Sequence, residues 1–514
     1  MIEMLVSRAS LWQPNVEGGD LATNSLRVGF FISQTQIISK GVKHDMATTT
    51  AEKKVFGYLP QDTPPWGAMI SLGIQQVLTM FPATVLVAIL TKFDVGVTLL
   101  ASGLGTIIAL LVSRRKIPMY YGSSFSYIAV VITTMSLYAN DCFSDPATFY
   151  CPQGVRIVQV GIMGTAVVEI LVGLLIIRVG KAALDKVLPP VITGSVAIVI
   201  GIALAGAALN MAGGLKPGEG SVHWLIGFVT LIVTVAFSVY LQGKGLLGML
   251  PILLGAIVGY LVAIPFGLVS FDPVGQAAWV RVPNITLPAF EDPRAWGAVV
   301  SIALIAIATI PESTAHLYQM SLYIDALAKE LGKAPLEIKK LIGLNLVADG
   351  SDDLIVGFLG GCAGTNYGEN NSLMAITRNY SVPVLMAAGV IAILLGFIGK
   401  LAALVNTIPV AVTGGLSIYL FGVIGMQGVA LIQSEKVNLF EPRQLAMGAT
   451  ILVLGIGGNL FLPNGLFPFP IPAIFPNGIP AIVFAALVGI LMNLLFLVLP
   501  PKMFGVEERE NINL

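Results

Sequence analysis

The stretch Gly364-Thr365-Asn366-Tyr367-Gly368-Glu369-Asn370 places small and polar residues inside an otherwise apolar segment. Non-helical backbone at membrane depth is tolerated only where it is buried in protein or lines a cavity. A carboxylate at the bilayer centre costs roughly 2.5–3.5 kcal/mol on insertion scales, so it usually faces a cavity and has a function there. We therefore predict a broken membrane helix here, with a polar site at Glu369.

A second carboxylate, Glu312, interrupts another apolar stretch in the run TIPESTAHLY at 309–318. Glu312 and His316 are four residues apart, so they share one face of a helix. The alternative is that both carboxylates lie at helix ends and reach water. Neither is beside a charged loop, which favours a shared cavity containing Glu312, His316 and Glu369.

The composition is that of a membrane protein. Of 514 residues, 56% are hydrophobic and only 11% are charged, and the mean hydropathy is +0.87. A span needs about 20 residues. Most of the following uncharged runs are long enough: 66–91, 95–113, 117–140, 187–215, 221–243, 245–271 and 401–434. With the interrupted segments, we predict an all-α polytopic membrane protein with about fourteen spans.

Two pairs of short sequences repeat along the chain. LPPVITG at 188–194 matches IPVAVTG at 408–414, and GSSF at 122–125 matches GTNY at 364–367. In each pair the members are seven predicted spans apart. Because seven is odd, the two halves would have opposite topology, which is typical of transporters with a site at the repeat interface. We predict two inverted seven-span repeats in which spans 3 and 10 are broken.

Basic residues predict the orientation, because Lys and Arg are enriched in cytoplasmic loops. They cluster at 114–116, 178–186, 244, 329–340 and 436–443. This pattern predicts a multi-pass protein of the cell membrane with both termini in the cytoplasm. An outside loop then holds Cys142 and Cys151, which form a disulfide in an oxidising compartment or remain free thiols.

The ends of the chain differ from the rest. Residues 1–50 are mixed and polar, so they are predicted to be a disordered or mis-assigned extension, with a start near Met46. Residues 51–502 form the predicted transporter unit, and 503–514 a cytoplasmic tail.

Four further acids lie in apolar segments. Glu169 is interpreted as forming an interhelical hydrogen bond, with a proton path as the alternative. Asp349, Asp352 and Asp353 either brace the protein or carry protons, and Asp349 and Asp353 share a face.

The run TNYGEN at 365–370, continued by MAITR at 374–378, resembles the signature of the nucleobase–ascorbate transporter (nucleobase:cation symporter-2) family. Within it, the chain is most similar to bacterial uracil:proton symporters and uracil/xanthine permeases. The resemblance extends from about Val55 to about Lys502. It includes KIP at 116–118 before GSSF, and Glu312 with His316.

The resemblance implies a fold and a division of the chain. Fourteen spans form two inverted repeats, with a short strand in each of spans 3 and 10. A core domain comprises about 60–180 and 294–400, and a gate domain about 184–290 and 401–500.

The resemblance also implies roles for five residues. Glu312 and Glu369 would hold the N–H groups of a base, the backbone of Phe125 and Gly368 would meet its polar edge, and His316 would support Glu312. Glutamate at 369 is typical of the uracil branch, whereas the purine branch usually has glutamine. The predicted function is uracil import by proton symport with alternating access. Glu312, Glu369 and His316 are the candidates for proton coupling.

Three departures from the family pattern bear on the identity of the base: Ser372, Gln75-Gln76 and Pro82 after Phe81. A xanthine, urate or other purine permease, sodium coupling and an uncoupled facilitator all remain open. No H-E-x-x-H, G-x-S-x-G or P-loop motif is present, so an enzyme is not predicted. Three Cys and three His argue against a zinc cluster, and no cofactor is expected. The expected partners are the base, a proton or sodium ion, membrane lipid and a second copy in a homodimer. With no net charge, no nucleic acid is expected.

Overall fold

The computed structural model describes residues 57–143, 149–180, 186–213, 220–242, 244–469 and 478–500. The N-terminal extension expected at 1–50 and the tail expected at 503–514 lie outside the described residues.

Helices make up most of the described chain. Those of the first half are α1 (Trp66–Thr91), α2 (Val95–Val112), α3 (Ile128–Tyr138), α4 (Pro152–Val179), α5 (Pro190–Ala203), α6 (Ala205–Gly213), α7 (Gly220–Tyr240), α8 (Pro251–Ala263) and α9 (Asp272–Gln276). Those of the second half are α10 (Pro293–Ala303), α11 (Ala306–Glu330), α12 (Ile342–Leu359), α13 (Gly368–Thr377), α14 (Val382–Gly396), α15 (Gly399–Asn406), α16 (Val410–Ser434), α17 (Pro442–Leu452), α18 (Gly458–Phe461) and α19 (Ala481–Val498).

Length and composition identify the candidate membrane spans. Among the described residues, eight helices are long and apolar enough to cross a membrane, and a ninth span results if α10 and α11, bent by 46°, count as one. Shorter apolar helices include Phe125–Tyr138, Pro251–Phe266 and Val382–Gly396. The chain is thus a multi-pass membrane protein. A count of fourteen spans and the inverted repeats stay predictions, because segments broken at mid-depth are too short for a length criterion.

The two broken segments meet in a small antiparallel sheet. Strand β1 (Tyr121–Ser123) pairs with β2 (Gly364–Asn366), and Gly122 lies opposite Thr365. Tyr367 N–H donates to Tyr120 O at 2.9 Å, which extends the pairing by one hydrogen bond. The backbone groups freed by each break therefore satisfy those of the other, as a membrane interior requires. The short strands expected in both segments are present.

Gly122 is required by this crossing. A Cβ at this position would lie 2.7 Å from two ring carbons of Tyr367, whose hydroxyl donates to Ser123 O at 2.7 Å. The aromatic ring therefore lies directly over β1. The glycine of the GSSF motif is explained by this contact.

Small residues allow the helices around the sheet to approach closely. A Cβ at Gly343 of α12 would lie 2.6 Å from Gly173 O of α4, and one at Gly173 would lie 2.7 Å from Gly343 O. Helix α14 packs on α2, while α16 packs on α5, α6 and α7. Such glycine contacts are the usual means of helix association in membranes. The division into core and gate domains stays a prediction.

A buried ion pair fixes the start of α2. Asp94 accepts from Val97 N–H at 3.0 Å, from Arg281 Nη2 at 2.8 and 2.7 Å, and from Asn284 Nδ2 at 2.8 Å. The Asp94 side chain is only 5% exposed, so its charge depends on these donors. The extended segment that carries Arg281 is thereby tied to α2.

Two predictions about single residues are resolved by contacts. Cys142 and Cys151 form a disulfide with a Cα–Cα distance of 5.4 Å, which is the first of the two alternatives left open by the sequence. Glu169 of α4 accepts a hydrogen bond from Thr309 Oγ1 of α11 at 2.6 Å. The predicted interhelical bond of Glu169 is confirmed.

Candidate functional site

A cavity of about 560 Å³ lies where the two broken segments meet α11. All five residues predicted for the site line it: Phe125, Glu312, His316, Gly368 and Glu369. The remaining lining residues are Ser123, Ser124, Ser126, Ala315, Gln319, Thr365, Asn366, Tyr367, Ser372, Ile424 and Gln427. The structure therefore brings the predicted residues together, although they are spread over more than 240 positions of the chain.

Helix α11 contributes one polar face to this cavity. Glu312, His316 and Gln319 follow one another at intervals of four and three residues, and all three line the cavity. Ser126 Oγ, from the broken segment after β1, donates to Glu312 Oε2 at 3.0 Å. Glu312 is half-buried and retains acceptor capacity on its other oxygen.

The tautomer of His316 follows from its partners. Its Nδ1 is 2.8 Å from both the backbone oxygen and the Oδ1 of Asn366. The Asn366 amide is oriented by its Nδ2, which donates to Ser313 Oγ at 2.7 Å. Both atoms facing Nδ1 are acceptors, so Nδ1 carries the hydrogen. Neutral His316 then has a free lone pair at Nε2.

Gly368 leaves room for that imidazole. A Cβ on Gly368 would lie 2.9 Å from His316 Nε2 and 3.5 Å from the two neighbouring ring carbons. A side chain at this position would therefore displace the ring. The glycine also starts α13, so its backbone N–H has no partner within the helix.

The start of α13 presents donors to the cavity. Its N-cap residue, Tyr367, makes no capping hydrogen bond through its side chain. Uncapped N–H groups and the positive end of the helix dipole favour an acceptor or a carboxylate nearby. Glu369 lies in this first turn, half-buried at the cavity wall. The site therefore combines carboxylate acceptors with backbone donors.

Two of the departures from the family pattern have structural roles. Asn370 Nδ2 donates to Gln76 Oε1 at 2.7 Å and to Gln76 O at 3.0 Å, which ties α13 to α1. Ser372 Oγ donates to Gly368 O at 3.0 Å and lines the cavity. Ser372 thus adds a hydroxyl beside the start of α13.

Several polar lining residues were not predicted as site residues, and Gln319, Gln427 and Ser126 are three of them. Gln319 was detectable, because it lies seven residues after Glu312 on the same helical face. Gln427 of α16 faces the cavity with Ile424, and the sequence indicated it only as a polar residue in the uncharged run 401–434. Ser126 had no signal beyond its place in a broken segment.

The arrangement suits a small polar molecule better than a metal ion. In the described part of the chain, no group of three or more His, Cys, Asp or Glu residues is placed to hold a metal ion. Carboxylates accept N–H bonds, and backbone N–H groups donate to carbonyls. The cavity can therefore bind a flat molecule with N–H and C=O groups on its edge.

Comparisons with known proteins also indicate a permease. A family model described as the Permease family matches residues 67–463. The uracil permease of Bacillus caldolyticus is 36% identical over 438 residues, which are 85% of this chain and 93% of that protein. The uracil permease of Escherichia coli strain K12 is 36% identical over 403 residues, or 77% of this chain and 86% of that protein.

Solved structures share the fold at low sequence identity. The transmembrane domain of a cyanobacterium bicarbonate transporter has a TM-score of 0.50 and 16% identity, with coverage of 83% of this chain and 97% of that one. The murine anion transporter Solute Carrier 26 family member A9 has a TM-score of 0.59 and 12% identity, with coverage of 91% and 78%. Because the family model matches more than half of the chain and the relatives are covered almost entirely, the chain belongs to this permease family, the nucleobase–ascorbate transporters that its sequence resembles, and is a transporter and not an enzyme.

Proposed function

We propose that this protein imports uracil across the cell membrane by proton symport with alternating access. The observation that carries the proposal is the cavity in which Glu312 and Glu369 face backbone N–H groups at the broken segments. Uracil has two N–H donors and two carbonyl acceptors around a flat ring. Two carboxylates and a set of backbone donors complement that pattern.

The proposed binding arrangement is the one that the family resemblance implies for these residues. Glu312 and Glu369 accept the two ring N–H groups, and the backbone N–H groups of Phe125 and Gly368 donate to the carbonyls. His316, fixed through Nδ1 by Asn366, supports the polar network beside Glu312. The two relatives named above are both uracil permeases, which favours uracil over a purine.

Proton coupling is proposed on electrostatic grounds. Two carboxylates sharing a cavity are difficult to keep ionised together in a membrane, so one of Glu312 and Glu369 takes up a proton when the base is bound. Proton and uracil then cross together. His316 is a third candidate for the proton, because its Nε2 faces the cavity with a free lone pair.

Both termini are proposed to lie in the cytoplasm.

The test is uracil binding to purified protein by calorimetry, with xanthine, hypoxanthine, thymine and urate as competitors. Glu369→Gln should weaken uracil binding at least tenfold, because an amide carries no charge and offers one acceptor where the carboxylate offers two. Glu435→Gln, at an exposed position beyond α16, is the matched control and should bind as the wild type does. Unchanged uracil affinity in Glu369→Gln, or tighter binding of a purine by the wild type, would refute the proposed substrate site.

A further inference from the structure

Four carboxyl groups lie outside the cavity lining, in the protein interior next to the strand pair. Glu169 comes from α4, and Asp349, Asp352 and Asp353 come from α12. Each of the four residues is at most 1% exposed. We refer to these four residues as the carboxyl cluster.

Among the described residues, the groups that donate hydrogen bonds to the carboxyl cluster are all neutral. The bonds are Thr309 Oγ1 to Glu169 at 2.6 Å, Thr365 Oγ1 to Asp349 at 3.4 Å, Tyr127 Oη to Asp353 at 2.5 Å and Gly364 N to Asp353 at 2.6 Å. No ion pair joins the cluster to a Lys, Arg or His among the described residues. The cluster thus gathers four acids with no observed cationic partner.

Several oxygens of the cluster have no hydrogen-bond partner in the part of the chain that the structure describes. They are both carboxyl oxygens of Asp352, Oε2 of Glu169 and Oδ1 of Asp349. The side chain of Asp352 packs against Gly105 of α2 and Gly364 of β2. A Cβ at either glycine would collide with an oxygen of Asp352. Buried polar groups without partners are rare, and each calls for an explanation, such as strain, a bound water or ion, or a functional role.

A further buried side chain lies close to the cluster. The hydroxyl of Tyr121 on β1 is fully buried and has no hydrogen-bond partner among the described residues. It lies within electrostatic range of Glu169, Asp349 and Asp352. A phenol hydroxyl both donates and accepts, so it can join carboxyl groups that share hydrogens.

The other titratable groups facing the cluster are acids and phenols. Tyr120, which directly precedes β1, lies within electrostatic range of Asp352, and Glu312 of α11 lies within electrostatic range of Asp349. Tyr127 donates its hydrogen bond to Asp353. His316 acts on Glu312, on the cavity side. Four negative charges without a cation would be prohibitive in such a site, whereas carboxylic acids can bond to one another and to hydroxyls.

We propose that the carboxyl cluster is a second proton-binding site of this transporter, separate from the carboxylates of the cavity. Glu169, Asp349 and Asp352 hold the bound protons, and the buried Tyr121 hydroxyl lies beside them. Asp353 accepts hydrogen bonds from a phenol and a backbone N–H. Of the four acids, it therefore has the most donors to stabilise an ionised carboxylate.

The cluster is adjacent to the transport cavity. Thr365 lines the cavity and donates to Asp349, so one side chain contacts both sites. Tyr127, which binds Asp353, directly follows Ser126, which binds Glu312. A change in the charge of the cavity residues therefore alters the electrostatic potential at the carboxyl cluster. This link to transport rests on the proposed function, whereas proton binding by the cluster does not.

The experiment is infrared spectroscopy of the purified full chain at neutral pH, in water and deuterium oxide. The background variant carries Glu312→Gln and Glu369→Gln, so the cavity carboxyls contribute nothing. We expect the carbonyl band of protonated carboxylic acids to persist in this background and to shift on deuteration. Asp352→Asn should remove part of that band, whereas Glu435→Gln, at an exposed position, should leave it intact.

A background variant without any protonated carboxyl band would overturn the proposal, as would an unchanged band in Asp352→Asn. Conversion of the band to carboxylate when sodium chloride replaces choline chloride would assign the site to sodium instead. Tyr121→Phe in the same background keeps the ring and should shift the band frequency. An unshifted band there would also contradict the proposal, even if Asp352→Asn failed to fold. Failure of the wild-type protein to bind uracil would refute only the cavity assignment.

Discussion

Replacement of Gly368 by alanine tests the geometry of the cavity with a single methyl group. The new Cβ would lie 2.9 Å from His316 Nε2, closer than carbon and nitrogen atoms normally approach. The imidazole cannot retreat freely, because its Nδ1 is held at 2.8 Å by both oxygens of Asn366. Either these hydrogen bonds lengthen or the start of α13 moves away from the ring.

The magnitude follows from the bonds at risk. A neutral intramolecular hydrogen bond contributes about 0.5–1.5 kcal/mol net. Because about 1.4 kcal/mol corresponds to tenfold in affinity, the loss of one such bond predicts uracil binding that is roughly two- to tenfold weaker. The phenotype should be a raised dissociation constant in a protein that still folds.

Isothermal titration of uracil into purified variants measures this effect. Gly422→Ala in α16 is the control, because its Cβ would meet no atom within 4 Å and binding should be unchanged. In a His316→Ala background the added methyl has no imidazole to displace, so Gly368→Ala should then cost little. Wild-type affinity in Gly368→Ala, or the same loss with and without His316, would refute the reasoning.

Two further predictions concern coupling and stability. Uracil uptake by permease-deficient cells expressing the protein should rise as external pH falls and collapse with a protonophore, because in the proposed mechanism a carboxyl of the cavity loads a proton with the base. Uptake that requires sodium and ignores the protonophore would contradict this. Arg281→Ala should lower the free energy of unfolding by about 1–3 kcal/mol, less than a fully buried pair would lose because the arginine side chain is 33% exposed. Thermal unfolding in detergent measures the loss, and an equal loss in Lys340→Ala, whose ion pair with Glu337 is exposed, would count against it.

The sequence could predict those parts of the site that depend on local spacing. Glu312 and His316 face one cavity because the α-helix brings residues four apart to one face. Glu369 was identifiable because a carboxylate in an apolar membrane segment is energetically costly and usually has a function. The broken segments around Gly122 and Gly364 were equally visible, since small polar residues replace the apolar pattern there.

Features that depend on how distant helices pack were beyond sequence reasoning. Gln427 reaches the cavity only because α16 lies against it, and nothing near Gln427 in the sequence indicates that contact. The partner of His316 is another such case: Asn366 is 50 residues away and is placed by the pairing of β2 with β1. The cysteine pair, by contrast, was visible in the sequence, but whether it forms a disulfide depended on a distance that spacing alone does not supply.

The two cavity glutamates and the carboxyl cluster differ in their surroundings, and this difference is consistent with different functions. Glu312 and Glu369 are half-buried beside backbone donors and a histidine, so they can exchange a proton and a ligand with water that enters the cavity. No described residue donates a hydrogen bond to Asp352, which is fully buried, so in the proposed site a proton on Asp352 leaves through neighbouring carboxyls and hydroxyls. A shared hydroxyl at Thr365 then permits the charge of the cavity to influence the buried cluster without exposing the cluster to solvent. Measuring the carboxylic acid band with and without uracil, in protein that retains Glu312 and Glu369, would reveal that influence directly.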